Sequence, residues 1–381
     1  MQLQNLDIST PAFVYDLDSI NARVNLLREV ADQRSLRILY SIKSASFSTL
    51  LESIANRLQG LATSSLFESR HARKVLGDRG EVHLSTVVVL PEQIEELSMY
   101  CNAININSLE QWQRHGSMLK DRIECGLRIN PMTDYVNDSR FDPCRKNSKL
   151  GVPLDQIIRL LKNDSRSLAG LNGLQFHNNC ESREFSQLVE TCRLLLDSCG
   201  NLIRRMEWIN IGGGYLFNEH CDMQWLTDAV ILLEEAGVER VYFEPGKAIV
   251  GDTGYLVASV VDIFRSGDRD IAILDCSVNH VPEVFEFQYR PEIYPECNDG
   301  EYIYRLAGMT CLSGDLFGDY RFEHPLELGD RIIFRDMGAY MFVKASMFNG
   351  FNIPPVYLHS KSMGLELINE QGYEDYRRRL T

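Results

Sequence analysis

Several features are missing from the 381-residue sequence, and each absence narrows the classes of protein that it can encode. No apolar run approaches the ~20 residues that a helix needs to cross a bilayer. The N-terminus has no basic segment followed by an apolar one, so we expect no signal peptide and a cytoplasmic location. The ten cysteines form no C-x-x-C pair, which argues against a metal site and favours free thiols in a reducing compartment.

Positive charge is also scarce. The chain has 39 Lys and Arg against 53 Asp and Glu, a formal net charge of −14. This balance argues against binding of nucleic acid through its phosphate backbone and is compatible with a small cationic partner. Hydrophobic residues at 44% and charged residues at 24% are typical of a globular protein, and the length allows two domains.

Short apolar runs alternate with amphipathic stretches from residue 37 to residue 246. We interpret eight of these runs as strands, at 37–43, 60–64, 81–85, 103–107, 124–130, 171–177, 206–212 and 240–246. Between them, apolar residues recur every three to four positions, a spacing that predicts helices. Eight strand–helix units are the count of a (β/α)8 barrel, whereas a doubly wound open sheet usually has fewer strands.

After residue 250 the pattern changes to β-like runs that are joined by polar turns. This change predicts a second, all-β domain. The early run 12–17 precedes the first barrel unit, so we expect it to pair with that sheet, followed by a helix over roughly 18–33. The predicted fold is therefore α/β, with a barrel over 26–248 and an all-β domain made of 1–25 plus 249–381.

In a (β/α)8 barrel, functional side chains lie at the C-terminal ends of the strands. Those ends supply an amine, an imidazole, a glycine-rich turn and a carboxylate, carried by Lys43, His177, Gly212-Gly213-Gly214 and Glu244. Glycines allow backbone N–H groups to approach a phosphate closely. A lysine could form a Schiff base with an aldehyde on the same cofactor, a histidine could stack on its ring, and a carboxylate could bind a pyridinium nitrogen. Together these residues indicate a pyridoxal 5′-phosphate site.

Each of these residues also has a plainer interpretation. Lys43 could simply face water where its strand surfaces, because lysine is mostly exposed in folded proteins. His177 could be a core histidine, Glu244 a capping or surface acid, and the triple glycine an ordinary turn. Only the combination at one end of a predicted barrel favours the cofactor site.

At these residues the sequence resembles fold-type III pyridoxal phosphate enzymes, the alanine racemase and ornithine/diaminopimelate decarboxylase group. "YSIKSAS", "LQFHNN", "IGGGY" and "FEPGKA" are similar to the lysine, histidine, phosphate and pyridinium motifs of that group. "GMTCLSGDLFG" is similar to its cysteine motif, which implies that Cys311 reaches the active site of a partner chain in a homodimer. "DMGAYMF" is similar to its tyrosine motif, which implies that Tyr340 contacts the phosphate. Lys247 stands at a position where the group often has an arginine that binds the phosphate.

Within that group the sequence most resembles the carboxynorspermidine (carboxyspermidine) decarboxylases, through stretches such as "TSSLFE", "RINPMTDYV" and "CLSGDLFGDYRF". The resemblance implies decarboxylation of carboxynorspermidine or carboxyspermidine to norspermidine or spermidine, in polyamine biosynthesis. Glu244 favours a decarboxylase over a racemase, because a carboxylate stabilises a protonated, electron-withdrawing ring. The resemblance implies that Lys43 holds the cofactor and that Cys311 is the proton donor.

The substrate is predicted from the residue after the cysteine. Ornithine- and diaminopimelate-type enzymes have an acidic residue there, whereas this chain has Leu312 and a later Asp315. Asp315, Asp275 and Glu283 are therefore candidate contacts for the amino groups of a longer, polyamine-like substrate. Three alternatives stay open: a decarboxylase of another amino-acid-derived substrate, a non-enzymatic cofactor-binding barrel, and an inactive regulatory partner of a decarboxylase.

Overall fold

A computed structural model describes residues 6–133, 135–163 and 167–381 of the chain. Within these ranges the strands, in chain order, are β1 Ala12–Asp16, β2 Leu36–Ser41, β3 Gly60–Thr63, β4 Glu81–Ser85, β5 Ala103–Ile106, β6 Glu124–Asn130, β7 Val152–Pro153, β8 Gly173–Gln175, β9 Trp208–Asn210, β10 Arg240–Phe243, β11 Gly254–Ser266, β12 Arg269–Leu274, β13 Ile293–Tyr294, β14 Tyr302–Ala307, β15 Leu316–Phe322, β16 Arg331–Phe334, β17 Val356–Ser360 and β18 Gly364–Asn369.

The same ranges contain the helices α1 Leu17–Ala31, α2 Ser48–Ala55, α3 Leu66–Leu76, α4 Ile94–Tyr100, α5 Leu109–Leu119, α6 Leu154–Asn163, α7 Ser186–Ile203, α8 Gln224–Glu235, α9 Lys247–Val250, α10 Pro282–Phe287, α11 Met341–Lys344 and α12 Tyr373–Arg378. Among the helices described, none is both long and apolar enough to cross a membrane.

The chain divides into two compact units. One comprises the described residues up to Ile20, together with Ser44–Phe47 and Val250–Thr381, and the other comprises Asn21–Lys43 and Ser48–Ile249. We call the first the sheet unit and the second the barrel unit. The predicted bounds did not anticipate the assignment of Ser44–Phe47 to the sheet unit. These residues belong there because Tyr340 donates its backbone N–H to Ser44 O at 2.8 Å and Phe47 packs edge-on against Phe342.

The barrel unit contains the eight predicted parallel strands, β2 to β6 and β8 to β10, and β10 pairs with β2 to close the ring. The prediction of a (β/α)8 barrel with a second, mostly β unit is therefore confirmed. The strands are nearly continuous apolar runs, as expected where a parallel sheet is covered on both faces. A buried cluster fills the barrel interior and consists of Leu39, Ala62, Ala103, Trp208 and Tyr242.

Some of the barrel helices have a serine hydroxyl as their N-cap. Ser65 accepts a hydrogen bond from the backbone N–H of Glu68 at 3.3 Å, and Gly77 ends the same helix with φ at +62°. Ser65 and Gly77 therefore cap the two ends of this helix. These caps satisfy N–H groups that a helix leaves without intrahelical partners.

The sheet unit is built on nine strands, with the order β15-β14-β12-β11-β1-β17-β18, while β16 pairs with β11 and β13. β1 lies between antiparallel β11 and parallel β17, so the predicted pairing of the early run 12–17 with this sheet is confirmed. The cluster Ile8, Ala12, Val14, Val257 and Ile333 is buried against it. Alternating buried and exposed residues along β17 agree with a sheet that buries one face.

Candidate active site

Lys43 follows the first barrel strand at its C-terminal end. The backbone there is held by two neighbours, since Ser41 N–H donates to Pro245 O at 2.9 Å and Ile42 N–H to Ala62 O at 3.1 Å. The Lys43 side chain is accessible to solvent. Desolvation by the surrounding barrel nevertheless lowers the pKa of its amine, and the nearby charge of Glu244 acts in the opposite direction. A lowered pKa increases the neutral fraction of the amine, the form that attacks a carbonyl carbon.

His177 follows β8 and its ring lies against the glycine turn. Its Nδ1 accepts a hydrogen bond from Gly213 N–H at 3.1 Å, which places the ring proton of the neutral imidazole on Nε2. Burial, together with the positive charges of Lys43 and Arg128, holds the pKa of His177 well below its usual range. The imidazole is therefore neutral at physiological pH.

The glycine turn is tightly packed by backbone on two sides. A Cβ on Gly213 would lie 2.3 Å from Glu244 O, and one on Gly214 would lie 2.2 Å from Asn179 O. Gly214 also has φ at +92°, which a residue with a side chain rarely adopts. Any larger residue would therefore move the turn. The N–H of Gly213 is already donated to His177. We therefore expect Gly213 to shape the turn because it has no Cβ.

Glu244 ends the last barrel strand and is half-buried. Its backbone N–H donates to Gly212 O at 2.6 Å, so the carboxylate and the glycine turn are anchored to each other. The Oε1 atom accepts a hydrogen bond from Asn210 Nδ2 at 2.7 Å. The structure thus brings together Lys43, His177, the glycines and Glu244 at one end of the barrel, as predicted.

Three further polar residues at this end were not predicted as site residues. Glu68 accepts a hydrogen bond from Ser64 N–H at 2.6 Å; burial raises its pKa, and the charge of Lys43 opposes this shift. Arg128 lies close enough to Glu244 for that carboxylate to raise the arginine pKa, although desolvation lowers it overall. Asn210 is the third. A polar residue inside an otherwise apolar barrel strand was the sequence signal for both Arg128 and Asn210.

Lys247 follows the Glu-Pro-Gly turn and is paired within the barrel unit. Its Nζ lies 2.7 Å from Oε1 of Glu181, and its side chain is 22% exposed against 47% for the glutamate. The residue that the resemblance associates with the phosphate thus carries its own counter-ion.

The sheet unit carries the remaining candidates. Cys311 is exposed and lies in the turn between β14 and β15, where its N–H donates to Asn349 Oδ1 at 3.0 Å. Tyr340 has φ at +66°, an uncommon backbone conformation for a residue with a bulky side chain. Residues in such backbone conformations cluster at functional sites. The roles that the resemblance implies for both residues stay predictions.

The three acids predicted to contact the substrate have partners within the sheet unit. Both oxygens of buried Asp315 accept hydrogen bonds, from Val278 N–H at 2.8 Å and from Thr310 N–H at 3.1 Å. Asp275 Oδ1 accepts one from Ser259 N–H at 2.9 Å. These contacts make Asp315 and Asp275 supports for their own loops. Any substrate contact by these two residues stays a prediction.

Glu283 differs from the other two acids because its partner is a cation. It is 8% exposed on α10, and its Oε1 lies 3.3 Å from Nζ of Lys344, which also pairs with Glu286. A buried carboxylate already held by an ammonium group has the chemistry to bind an amino group of a substrate. Glu283 is therefore the acid among the three whose surroundings best match the predicted role.

The residues of the barrel unit fit pyridoxal 5′-phosphate. The donor set provides an amine with a lowered pKa for the aldehyde, a neutral imidazole, and a carboxylate placed to bind a ring nitrogen. The glycine turn lies at the same end of the barrel, where neighbouring backbone excludes a Cβ at Gly213 and Gly214. Among the residues described, no group of His, Cys, Asp or Glu is arranged to hold a metal ion.

Comparison with known proteins decides the family. Residues 12–338 match the pyridoxal-dependent decarboxylase family, described by its C-terminal sheet domain. The chain belongs to this family. It is therefore a pyridoxal phosphate-dependent decarboxylase, as the sequence motifs predicted.

Two curated relatives match nearly the whole chain. A carboxyaminopropylagmatine decarboxylase from Synechocystis sp. is 32% identical, covering 98% of this chain and 96% of the relative. A carboxynorspermidine/carboxyspermidine decarboxylase from Herminiimonas arsenicoxydans is 30% identical, covering 97% and 98%. Among solved structures, a carboxynorspermidine decarboxylase from Campylobacter jejuni in complex with norspermidine has a TM-score of 0.86 at 30% identity, covering 98% of this chain and all of that one.

Proposed function

We propose that this decarboxylase acts on carboxynorspermidine or carboxyspermidine and releases norspermidine or spermidine, a step of polyamine biosynthesis. The observation that carries the proposal is the cysteine turn, where Leu312 follows Cys311 in place of an acid. Full-length similarity at 30% identity to enzymes with these substrates in their names supports it. The net charge of −14 favours approach of a cationic substrate.

Lys43 is the covalent anchor of the cofactor in this proposal. Its lowered pKa would supply a neutral amine to hold the aldehyde of the cofactor. Bound pyridoxal 5′-phosphate supplies the electron sink that makes loss of CO2 from the α-carbon possible. His177, being neutral, packs against the ring without adding a positive charge.

Glu244 keeps a proton on the ring nitrogen, because its negative charge stabilises the cation. The glycine turn receives the phosphate, and Tyr340 is proposed as a second phosphate contact. After CO2 has left, the carbon needs a proton. We assign that donation to Cys311 of the partner subunit, which requires a homodimer with shared sites.

Glu283 is proposed to bind a distal amino group of the substrate. The Lys344 ammonium at 3.3 Å shows that the carboxylate accepts a cation in this position. Asp275 and Asp315 are weaker candidates for substrate contacts, because both carboxylates accept hydrogen bonds from backbone N–H groups of the sheet unit. All ten cysteines lie in the described part of the chain and are free, which supports the proposed cytoplasmic location.

A second candidate substrate is favoured by one observation, the relative at 32% identity that is named for carboxyaminopropylagmatine. This compound ends in a guanidinium group, whereas the carboxylated polyamines end in an ammonium group. A planar guanidinium prefers a bidentate carboxylate, so this candidate requires both oxygens of Glu283 to be available to the substrate. A further alternative is another amino-acid-derived substrate, such as a diamino acid or a siderophore or peptide precursor.

The test is CO2 release by the purified, cofactor-loaded protein across a substrate panel. The panel contains carboxynorspermidine, carboxyspermidine, carboxyaminopropylagmatine, ornithine, lysine, arginine and meso-diaminopimelate. We expect turnover of the first two, and turnover of the third alone would favour the second candidate. Lys43→Ala is the control and should release no CO2 and show no visible absorption band of bound cofactor. Turnover confined to ornithine, lysine, arginine or diaminopimelate would contradict the proposal.

A further inference from the structure

Asn210 occupies an unusual position, since it is an uncharged polar residue with no solvent exposure in the barrel interior. It is the last residue of β9, two positions before Gly212. Its Oδ1 accepts a hydrogen bond from Gly212 N–H at 2.9 Å, and its Nδ2 donates to Glu244 Oε1 at 2.7 Å. One side chain therefore touches both the turn and the carboxylate.

The orientation of this amide follows from the chemistry of its partners. The backbone N–H of Gly212 can only donate, so the atom of Asn210 that faces it must be the oxygen. The NH2 group is then forced to face Glu244. The oxygen Oε1 therefore accepts this hydrogen bond through a lone pair. The glycine turn thus dictates, through Asn210, how Glu244 is hydrogen-bonded.

The charged groups that face Glu244 act in the same direction. Lys43 at the end of β2 and Arg128 on β6 both lie near enough for their positive charges to interact with the carboxylate. Both positive charges attract the side chain of Glu244. Attraction between charges has no preferred direction. The Asn210 amide, in contrast, donates a hydrogen bond to one defined oxygen, Oε1.

We propose that Asn210 is a positioning residue that fixes the orientation of the Glu244 side chain and couples it to the glycine turn. The ring-nitrogen end and the phosphate end of the cofactor are then aligned by one buried side chain. The proposal rests on the cofactor site of the proposed function, but it does not depend on which substrate is decarboxylated. It concerns the binding of pyridoxal 5′-phosphate itself.

Two substitutions separate the two hydrogen bonds. Asn210→Asp keeps an oxygen acceptor for Gly212 N–H but replaces the donor that faces Glu244. Asn210→Leu removes both bonds at similar size. The matched control is Asn105, which is also buried in a barrel strand and donates to Ser85 Oγ at 2.9 Å. Asn105→Asp and Asn105→Leu impose the same chemical change at a residue whose side chain donates to Ser85 instead of Glu244.

The experiment titrates apoprotein with pyridoxal 5′-phosphate alone and follows the visible absorption of the bound cofactor against pH. For Asn210→Asp we expect the acid transition of the spectrum to move to higher pH, because two adjacent carboxylates favour retention of a proton. For Asn210→Leu we expect affinity for the cofactor to fall about tenfold, the size expected for loss of a charge-assisted hydrogen bond. The Asn105 variants should leave the transition where it is in the parent protein.

A double substitution makes the test specific. In a Glu244→Gln background, Asn210→Asp should no longer move the acid transition, because the group through which Asn210 acts has been removed. An unchanged transition in Asn210→Asp, the same shift in Asn105→Asp, or a shift that persists without Glu244 would each overturn the proposal. If Asn210→Asp fails to fold, Asn210→Ser, whose hydroxyl is too short to reach both partners, is tested by the same titration. Since no substrate is present, failure of the proposed decarboxylation would not produce any of these results.

Discussion

The ammonium of Lys247 is bound to the carboxylate of Glu181 at 2.7 Å, and this pair joins the two backbone segments that flank the glycine turn. Ser182, next to Glu181, donates its N–H to Gly214 O at 2.9 Å. On the other side, the carbonyl of Glu244 packs closely against Gly213. A cation that could serve the phosphate is therefore partly neutralised beside the turn that would receive it.

Removing the acid of this pair should strengthen cofactor binding. Glu181→Gln leaves Lys247 without its counter-ion and removes a negative charge near an incoming phosphate, so we expect severalfold tighter binding of pyridoxal 5′-phosphate. The gain is small because the pair is partly exposed to water. It is measured as the dissociation constant from an absorbance titration, with exposed Glu184→Gln as the control. Weaker binding in Glu181→Gln would show that the pair instead maintains the shape of the turn.

The close packing of the glycine turn predicts an asymmetric result for two similar glycines. Gly214 and Gly237 have φ of +92° and +93°, but only Gly214 has backbone within reach of an added Cβ, at 2.2 Å. Both alanine variants carry the same backbone strain, of about 1 kcal/mol. Gly214→Ala should in addition lose at least about tenfold in affinity for the cofactor, since the turn must move. Equal affinity in the two variants would contradict a role of this turn in binding.

Shared active sites predict that two inactive variants can complement each other. If Lys43 of one chain works with Cys311 of the partner subunit, Lys43→Ala and Cys311→Ala should each be impaired. A mixture allowed to exchange subunits should regain activity, because each mixed dimer then contains one intact site. Activity is measured as CO2 release before and after mixing. No recovery, in a mixture shown to contain mixed dimers, would place both residues in the same chain's site or remove Cys311 from the chemistry.

Glu81, a half-buried acid at the start of β4, predicts a pH dependence of stability. Burial alone would raise the pKa of Glu81, but hydrogen bonds from His83 and Tyr242 and the charge of Arg37 lower it from 4.5 to about 2. The folded pKa is depressed, so its stabilising contribution is present above about 4.5 and is lost as the pH falls towards about 2. Glu81→Gln should cost roughly 2 kcal/mol at neutral pH, a difference that closes over this acid range.

Urea unfolding at several pH values checks this expectation. Exposed Glu92→Gln is the control and should change the free energy of unfolding by less than about 0.5 kcal/mol. A cost for Glu81→Gln that stays constant down to the acid end would mean that packing, and not the charge of the carboxylate, is responsible.

The sequence was sufficient for the barrel because each strand is a short apolar run and each helix has apolar residues at helical spacing. It also placed Lys43, His177, the glycines and Glu244 at one end, since residues that end parallel strands share a face. The sequence did not reveal the hydrogen-bond partners. Asp315 accepts from Val278, 37 residues earlier, and Glu181 pairs with Lys247, 66 residues later. Such pairs depend on how loops pack, which periodicity does not encode.

The division of the chain illustrates the same limit. The pattern change near residue 250 marked the start of the sheet unit, and the early run at 12–17 was correctly paired with it. Ser44–Phe47 directly follow Lys43, and their position in the sequence predicts that they belong to the first strand–helix connection of the barrel. Their place in the sheet unit depends on aromatic packing with Tyr15 and Phe342, which lie far away in the sequence.

The most direct measurement compares kcat/KM for carboxynorspermidine, carboxyspermidine and meso-diaminopimelate in one preparation of the cofactor-loaded protein. The proposed function predicts that the better carboxylated polyamine is preferred at least about a hundredfold, because the second carboxylate of meso-diaminopimelate would be repelled by the carboxylate of Glu283. A preference for meso-diaminopimelate would contradict the reading of Leu312 and Glu283 and assign the enzyme to a different substrate class.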